Sequence, residues 1–282
     1  MSKTKLLLKL NKLFKVPVHP FNLQSEGKKA YSMWQYEKGE ETIKFYLPFS
    51  SKEEMFLDKT VLDIGCGAAG KSLYYASLGA KKVHGVDVVS RYKEESESLA
   101  NALGLSDKFS FHLGDAANLD FPDNYFDTII MNDSMEHVSE PSKVLAECKR
   151  VLKDGGRLFI NFCPYYHPYG AHLSDVIGFP WVHLFFSEKT MIEAYKILVS
   201  DFDDKENRIS FRFSKNEKGE ETISYINRMT IKRFKRILKS CDMNKLYYKE
   251  IALRGFLKPL AICPVLKELF VKMTVAVLEK RK

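Results

Sequence analysis

The chain has 282 residues, 45% of them hydrophobic and 28% charged, an ordinary balance for a folded protein with a sizeable core. No run reaches the roughly 18 consecutive apolar residues of a membrane span, and the lysine-rich N-terminus lacks a small-residue cleavage site, so no secretory signal is expected. The net charge of +8 is uneven: residues 1–29 carry seven lysines against one glutamate, and residues 228–282 carry 15 Lys and Arg against four acids. Basic ends suit nucleic acid, an anionic lipid surface or an acidic substrate, and solvated helix faces are the plainer reading.

Lys3 to Val16 has helical spacing, with Leu6, Leu7, Leu10, Leu13 and Phe14 on one side and Lys5, Lys9 and Lys12 on the other. Such a helix either lies on an anionic membrane or packs on the protein's own body; Pro17 and Pro20 end it. An aromatic stretch from Tyr31 to Tyr46 follows. Val61-Leu62-Asp63-Ile64 then reads as a short buried strand running into Gly65-Cys66-Gly67-Ala68-Ala69-Gly70, with a helical pattern from Lys71 to Leu78. Strand, G-x-G-x-x-G loop and helix N-terminus make a nucleotide-binding corner. Asp63 gives the corner a sign. A carboxylate two residues before the first glycine repels a pyrophosphate and favours a cationic ligand. The string D-x-G-x-G-x-x-G resembles the first motif of class I S-adenosylmethionine-dependent methyltransferases, whose cofactor is cationic and carries no phosphate.

Further matches follow in order. Lys82 to Asp87 reads as the second strand, with Asp87 at the separation expected for a ribose-binding acid. A helix runs to about Leu103 and stops at Gly104. Phe109 to Leu113 is the third strand, and Gly114-Asp115-Ala116 after it resembles the family's G-D-A step. F-x-D-x-x-F-D over 121–127 precedes a fourth strand, 128–131. Asn132-Asp133-Ser134-Met135-Glu136-His137-Val138 stands at that strand's end, and its E-H-V resembles small-molecule O- and C-methyltransferases of the quinone and lipid type. The N-P-P-Y of the adenine and glutamine amide methylases is missing. A helix over 141–152, a Gly155-Gly156 turn and a strand over 157–162 complete a resemblance that covers residues 57–163.

That resemblance implies an α/β, Rossmann-like fold: a seven-stranded mostly parallel sheet in the order 3-2-1-4-5-7-6, with helices on both faces, an N-terminal cap and an insert after the fifth strand. It implies S-adenosylmethionine as cofactor. Asp63 with Gly65, Cys66, Gly67 and Gly70 would hold the methionine part, Asp87 and Val88 the ribose, and Asp115 and Ala116 the adenine. Asn132 and Ser134 would stand beside the cofactor, with Trp34 and Tyr36 as lid candidates. The expected layout is an N-terminal cap over 1–56, a cofactor-binding core over 57–163, an acceptor-pocket insert over 164–228, and a return to the sheet over 229–282 with an apolar insert at 253–269.

Beyond the core the sequence is individual. Pro164 to His172 carries three tyrosines and two histidines, Trp181, His183, Phe185 and Phe186 follow, and Ser187 starts a helix over 188–199. Connections this long usually have a function. His137 is the leading general base, an imidazole titrating near neutral pH, with Tyr165, Tyr166, His167 and His172 as its helpers; a purely orienting role for His137 stays open. His137, His167, His172 and His183 lack an accompanying carboxylate or cysteine pattern, so no metal is expected. Residues 201–207 read as an exposed loop, and Ile209 to Phe213 alternates like a strand hairpinned with Thr222 to Ile226. A basic helix over 230–239 and two antiparallel edge strands, 245–252 and 271–278, close the chain. The scattered cysteines read as free thiols in a reducing cytoplasm. The expected activity is methyl transfer to a small, hydrophobic or aromatic acceptor, with peripheral contact to an anionic membrane face. An RNA methyltransferase, a cofactor-binding protein without transferase activity and an NAD-dependent dehydrogenase are the alternatives.

Overall fold

The structure, a computed structural model, describes residues 2–25, 27 and 29–281. It opens with five short helices: α1 (Lys3–Asn11), α2 (Pro20–Ser25), α3 (Tyr31–Glu37), α4 (Gly39–Ile43) and α5 (Lys52–Phe56). The core alternates β1 (Thr60–Ile64), α6 (Gly70–Ser77), β2 (Lys82–Asp87), α7 (Tyr92–Ala102), β3 (Phe109–Leu113), β4 (Phe126–Asn132), α8 (Pro141–Val151) and β5 (Leu152–Phe162). Then come α9 (Val182–Phe185), α10 (Glu188–Leu198), α11 (Lys205–Arg212), β6 (Phe213–Lys215), β7 (Glu221–Ile223), α12 (Ile231–Ser240), β8 (Asn244–Ala252), α13 (Lys258–Ile262), α14 (Lys267–Phe270) and β9 (Val271–Glu279).

The seven-stranded sheet has the order β3-β2-β1-β4-β5-β9-β8, the arrangement that the resemblance implies. β1 to β5 are parallel; β9 runs antiparallel to both β5 and β8, so the edge strand β8 points the same way as the other five. Alternation along the strands sorts side chains onto two faces. Val61, Ile130, Phe159 and Val277 pack beneath the N-terminal helices, α6 and α7. Their neighbours Leu62, Ile129, Leu158 and Ala276 pack against α8 and α12. In α8, Val144, Leu145, Cys148 and Val151 recur at helical spacing and are all buried. Winding reverses between β1 and β4, and that switch point opens a crevice beyond the carboxyl ends of the strands.

A third core belongs to the connection after β5. Leu7 of α1 is buried there with Ile177, Val182, Ile192, Tyr195 and Ile223. Asn11 at the end of α1 donates to the Val176 carbonyl at 2.9 Å and accepts from Phe179 N at 3.1 Å. Of the two readings of the N-terminal helix, packing on the protein's own body therefore accounts for its buried face. The helix stops at Asn11 rather than Val16.

One expected strand is a helix. Residues 205–212 wind as α11, and pairing begins only at Phe213, opposite Ile223. Helical spacing puts Arg208 and Arg212 on one side, and both guanidiniums reach the buried Asp175, at 3.1 and 3.0 Å. An extended chain would send side chains four residues apart about 13 Å from each other. The alternation of Ile209, Phe211 and Phe213 is thus overridden by a tertiary ion pair. The stretch 31–43 is helical as well.

Candidate active site

The crevice is a cavity of about 740 Å³. One wall, the side expected to hold the methyl donor and so called the donor wall, is the loop after β1 and the ends of β2 and β3. Gly67 has φ 56°, in the left-handed region that favours glycine. Its N–H donates to Asp87 Oδ2 at 2.8 Å, and Val89 N–H donates to Asp87 Oδ1 at 2.9 Å. Each carboxylate oxygen is so oriented by the backbone and keeps a lone pair for a ligand. Burial raises the Asp87 pKa against the pull of these N–H groups. Asp115 holds its own loop through Ala117 N–H at 2.9 Å. Asp87, Val88, Asp115 and Ala116 all line the cavity, as do Gly65 and Gly67.

Three glycine-corner residues do their work from behind. Asp63 shares the face of β1 that carries Val61, under α6, and accepts from Ser72 Oγ at 2.6 Å instead of lining the cavity. Burial pushes its carboxyl up to about 6. Cys66 is buried towards Gly85, where a Cβ would stand 2.8 Å from its Sγ. At Gly70 a Cβ would come within 1.9 Å of the Ser32 carbonyl, so its bareness lets α3 cross the helix start.

That crossing brings α3 to the cavity. Ser32 N–H donates to Glu95 of α7 at 2.8 Å, and Gln35, buried, accepts from Gly70 N–H at 3.3 Å. Trp34 lines the cavity, and Tyr31 and Gln35 join it. Tyr36 packs on Tyr74 instead, at 6.2 Å between rings, and does not line it. Asn132, which lines the cavity, accepts from Tyr46 and from Asn161, both at 2.6 Å, and donates to Tyr75 at 2.8 Å. This network fixes the end of β4.

The facing wall, the side expected to take the acceptor and so called the acceptor wall, is the turn 134–138 and the segment after β5. Asn227 Nδ2 donates to the Met135 and Val138 carbonyls at 2.8 and 2.6 Å, and Asn227 N–H to the Glu136 carbonyl at 2.7 Å. His137 Nδ1 lies 2.7 Å from the Tyr225 carbonyl. A carbonyl only accepts, so Nδ1 carries the proton and Nε2 keeps its lone pair. Burial pushes this imidazole down to about 4, against the Tyr225 carbonyl that favours its charged form. His172 crosses it edge-on at 4.8 Å and is lowered by burial too. Glu136 is buried; Oε1 accepts from Cys163 N–H at 3.2 Å, and Oε2 has no partner. Burial, then Asp133, raises its carboxyl to about 8. Ser134 Oγ is also buried without a partner.

Of the expected catalytic residues, His137 and His172 meet at this wall, and His167 lines a smaller adjoining cavity of about 210 Å³. Tyr165 and Tyr166 line neither cavity: Tyr165 packs with Tyr166 and His183, held by its N–H to the Met229 carbonyl at 2.7 Å. Glu136, Tyr225, Tyr31, Gln35 and His19 escaped the sequence reading. Glu136 had a local clue, its place beside His137 in E-H-V, and Tyr31 and Gln35 lie beside the lid candidate Trp34. Gln35 reaches the glycine loop across 31 to 35 residues and Tyr225 reaches His137 across 88.

A family profile described as "Methyltransferase domain" matches residues 62–160. Over residues 62–160, about a third of its length, the chain resembles the class I S-adenosylmethionine-dependent methyltransferase domain. S-adenosylmethionine is that family's methyl donor. The chain is similar to a probable tocopherol O-methyltransferase, chloroplastic, of Oryza sativa subsp. japonica, at 37% identity over 102 residues, 36% of this chain and 28% of that one. It is similar to norajmaline N-methyltransferase of Rauvolfia serpentina, at 33% over 102 residues, 36% of this chain and 35% of that one. The chain thus spans about a third of these relatives' length. A putative sarcosine dimethylglycine methyltransferase from Galdieria sulphuraria shares the fold, with a TM-score of 0.54 at 15% identity over 93% of this chain and 97% of that one.

The donor wall fits this cofactor on its own chemistry. Its carboxylates, Asp87 and Asp115, face the cavity with backbone N–H groups as partners, which suits a nucleoside with hydroxyls and an amine and no phosphate.

Proposed function

We propose that this protein is an S-adenosylmethionine-dependent methyltransferase acting on a small molecule, with O- or C-methylation favoured. The observation that carries the reading is one continuous cavity with the Gly67–Asp87 corner on one wall and Glu136, His137 and His172 on the other. Its volume falls within the roughly 300–1,000 Å³ of small-molecule sites. Gly65 and Gly67 would cradle the methionine part of the cofactor, Asp87 with Val88 the ribose, and Asp115 with Ala116 the adenine. Tyr31, Trp34 and Gln35 would cover it, and Ser134 would offer it a hydroxyl. Asp63, Cys66 and Gly70 would shape the loop from behind, and Asn132, at the cavity wall, would stand beside the cofactor. When bound, the cofactor supplies an electrophilic methyl on a sulfonium. The chain's task is to align the acceptor and exclude water. His137, its tautomer fixed by Tyr225, presents Nε2 to the acceptor's proton. Relatives named for O- and N-methylation support a small acceptor without choosing its atom.

A second observation favours a hydrophobic acceptor presented at an anionic lipid surface. Leu13, Val18, Phe185, Phe256, Ile262 and Val265 are each at least two-thirds exposed, on the lysine-rich segment after α1, on α9 and in the 253–269 insert. Rings connect the first two: Phe14 meets Phe179 at 5.1 Å, and Phe179 meets Phe185 at 5.9 Å. Apolar side chains among lysines suit peripheral binding. No helix among the described residues is long and apolar enough to cross a membrane.

One experiment separates the readings. The full chain is incubated with S-adenosylmethionine labelled in its methyl group and, separately, with an aqueous metabolite fraction, a lipid extract and total RNA. Label in the lipid or metabolite fraction is expected. Label in RNA would replace the small-molecule reading. Tight cofactor binding with no label in any fraction would leave a binding protein without transferase activity.

A further inference from the structure

We propose that Glu136, His137 and His172 form a binding site for one first-row divalent transition cation at the acceptor end of the cavity. One ligand atom from each residue lies within 4.8 Å of the other two. The set was invisible as a spacing. Glu136 and His137 are sequence neighbours that share a site because residues 135–137 form a turn, and His172 arrives from the connection after β5.

Two features point to a cation rather than to a chance gathering. Glu136 is buried, and one of its oxygens is fixed by Cys163 N–H while Oε2 is left without any hydrogen-bond donor. A buried oxygen with acceptor capacity and nothing to accept from is costly, and a cation relieves it. His137 shows the outer arrangement of a metal ligand: Nδ1–H is anchored on the Tyr225 carbonyl at 2.7 Å, which presents Nε2 as the free lone pair. His172 is pinned as well, since its carbonyl accepts from the buried Arg212.

The donor set selects the ion. Two imidazoles and one carboxylate suit Zn²⁺, Fe²⁺, Co²⁺ or Mn²⁺ better than Mg²⁺ or Ca²⁺, which prefer all-oxygen shells. Ligands about 2.1 Å from such an ion stand about 3.4 Å apart, so the three side chains would close by roughly an ångström. Three protein ligands leave at least one position open towards the cavity. An oxygen of the acceptor bound there would be acidified by the cation, its proton leaving to solvent, and His137 would then serve as ligand rather than base. That use rests on the methyl-transfer reading; the cation site itself does not.

The test is cation binding by the full chain without cofactor or acceptor. After chelation and dialysis, calorimetry with Zn²⁺ should give one equivalent, and Co²⁺ should give visible bands without thiolate charge transfer. Glu136→Gln and His172→Ala should each weaken Zn²⁺ by at least about tenfold while S-adenosylmethionine affinity stays within twofold. His183→Phe, a histidine lining neither cavity, should bind Zn²⁺ as the wild type does. Absent binding, unchanged affinity in Glu136→Gln and His172→Ala, or thiolate bands in the cobalt spectrum would each overturn the site. Cation binding intact without any methyl transfer would sink the functional reading alone.

Discussion

On the donor wall both oxygens of Asp87 accept backbone N–H groups from the loops that shape the site. On the acceptor wall Glu136 Oε2 and Ser134 Oγ are buried with no partner, and outside both cavities, in the connection after β5, both nitrogens of His183 are in the same condition. The donor side is satisfied by its own backbone as folded. The acceptor side holds polar atoms that its own fold leaves unsatisfied, which natural proteins keep mainly where something binds or reacts. Changes on the two walls should therefore fail differently.

The largest effect should come from the scaffold of the acceptor side. Asp175 is buried, accepts from Tyr195 at 2.7 Å and pairs with both Arg208 and Arg212. Asp175→Ala removes the carboxylate that two buried guanidiniums share, a change that costs about 3–5 kcal/mol. Urea denaturation of the variant should show that loss. A loss below about 1 kcal/mol would mean that the pair does not organise this wall.

The same contrast explains what the sequence discloses. The donor wall is local: strand, glycine loop and helix are contiguous, and Asp87 lies 20 residues from Gly67, so periodicity and spacing reach it. The sheet order follows from the family resemblance over 57–163 and is matched strand for strand. The acceptor wall is assembled across long separations. His137 is held by Tyr225 88 residues away, and the 135–138 turn by Asn227. No local pattern encodes such pairs. Period-2 alternation even misled at 209–213, where Asp175 selects a helix. Asp63 shows a subtler limit. Its place before the first glycine was legible, but strand parity turns it under α6 towards Ser72.

On the donor wall, Asp87→Ala deletes two positioned acceptors and frees the Gly67 and Val89 N–H groups. Charge-assisted hydrogen bonds contribute about 1.5–3 kcal/mol each, so calorimetry should show S-adenosylmethionine binding at least a hundredfold weaker, about 2.7 kcal/mol. Folding should change far less than in Asp175→Ala, because Asp87 lies at the rim of the sheet rather than within an ion network. Unchanged affinity would remove the ribose assignment. Equal destabilisation in the two variants would erase the contrast between the walls.

The smallest effect isolates, by pH, an unpartnered histidine of the connection after β5. His183 packs its ring on Tyr165 at 4.8 Å, and burial pushes it from 6.5 down to about 4. Its neutral form is the one that the fold accepts. Above pH 6.5 both folded and unfolded chains hold it neutral, so the full stability is present. As pH falls from 6.5 towards 4 the unfolded chain takes the proton first, and stability is lost across that window. His19 and His167, also lowered by burial to about 4, add losses of the same sign, so the wild type alone cannot assign them. His183→Phe keeps the ring stacking and removes one titration. Between pH 7 and pH 5 the variant should gain about 1 kcal/mol on the wild type in urea denaturation. A constant difference across that range would mean that His183 is protonated equally in both states, and that its unpartnered nitrogens are reached by water in the folded protein.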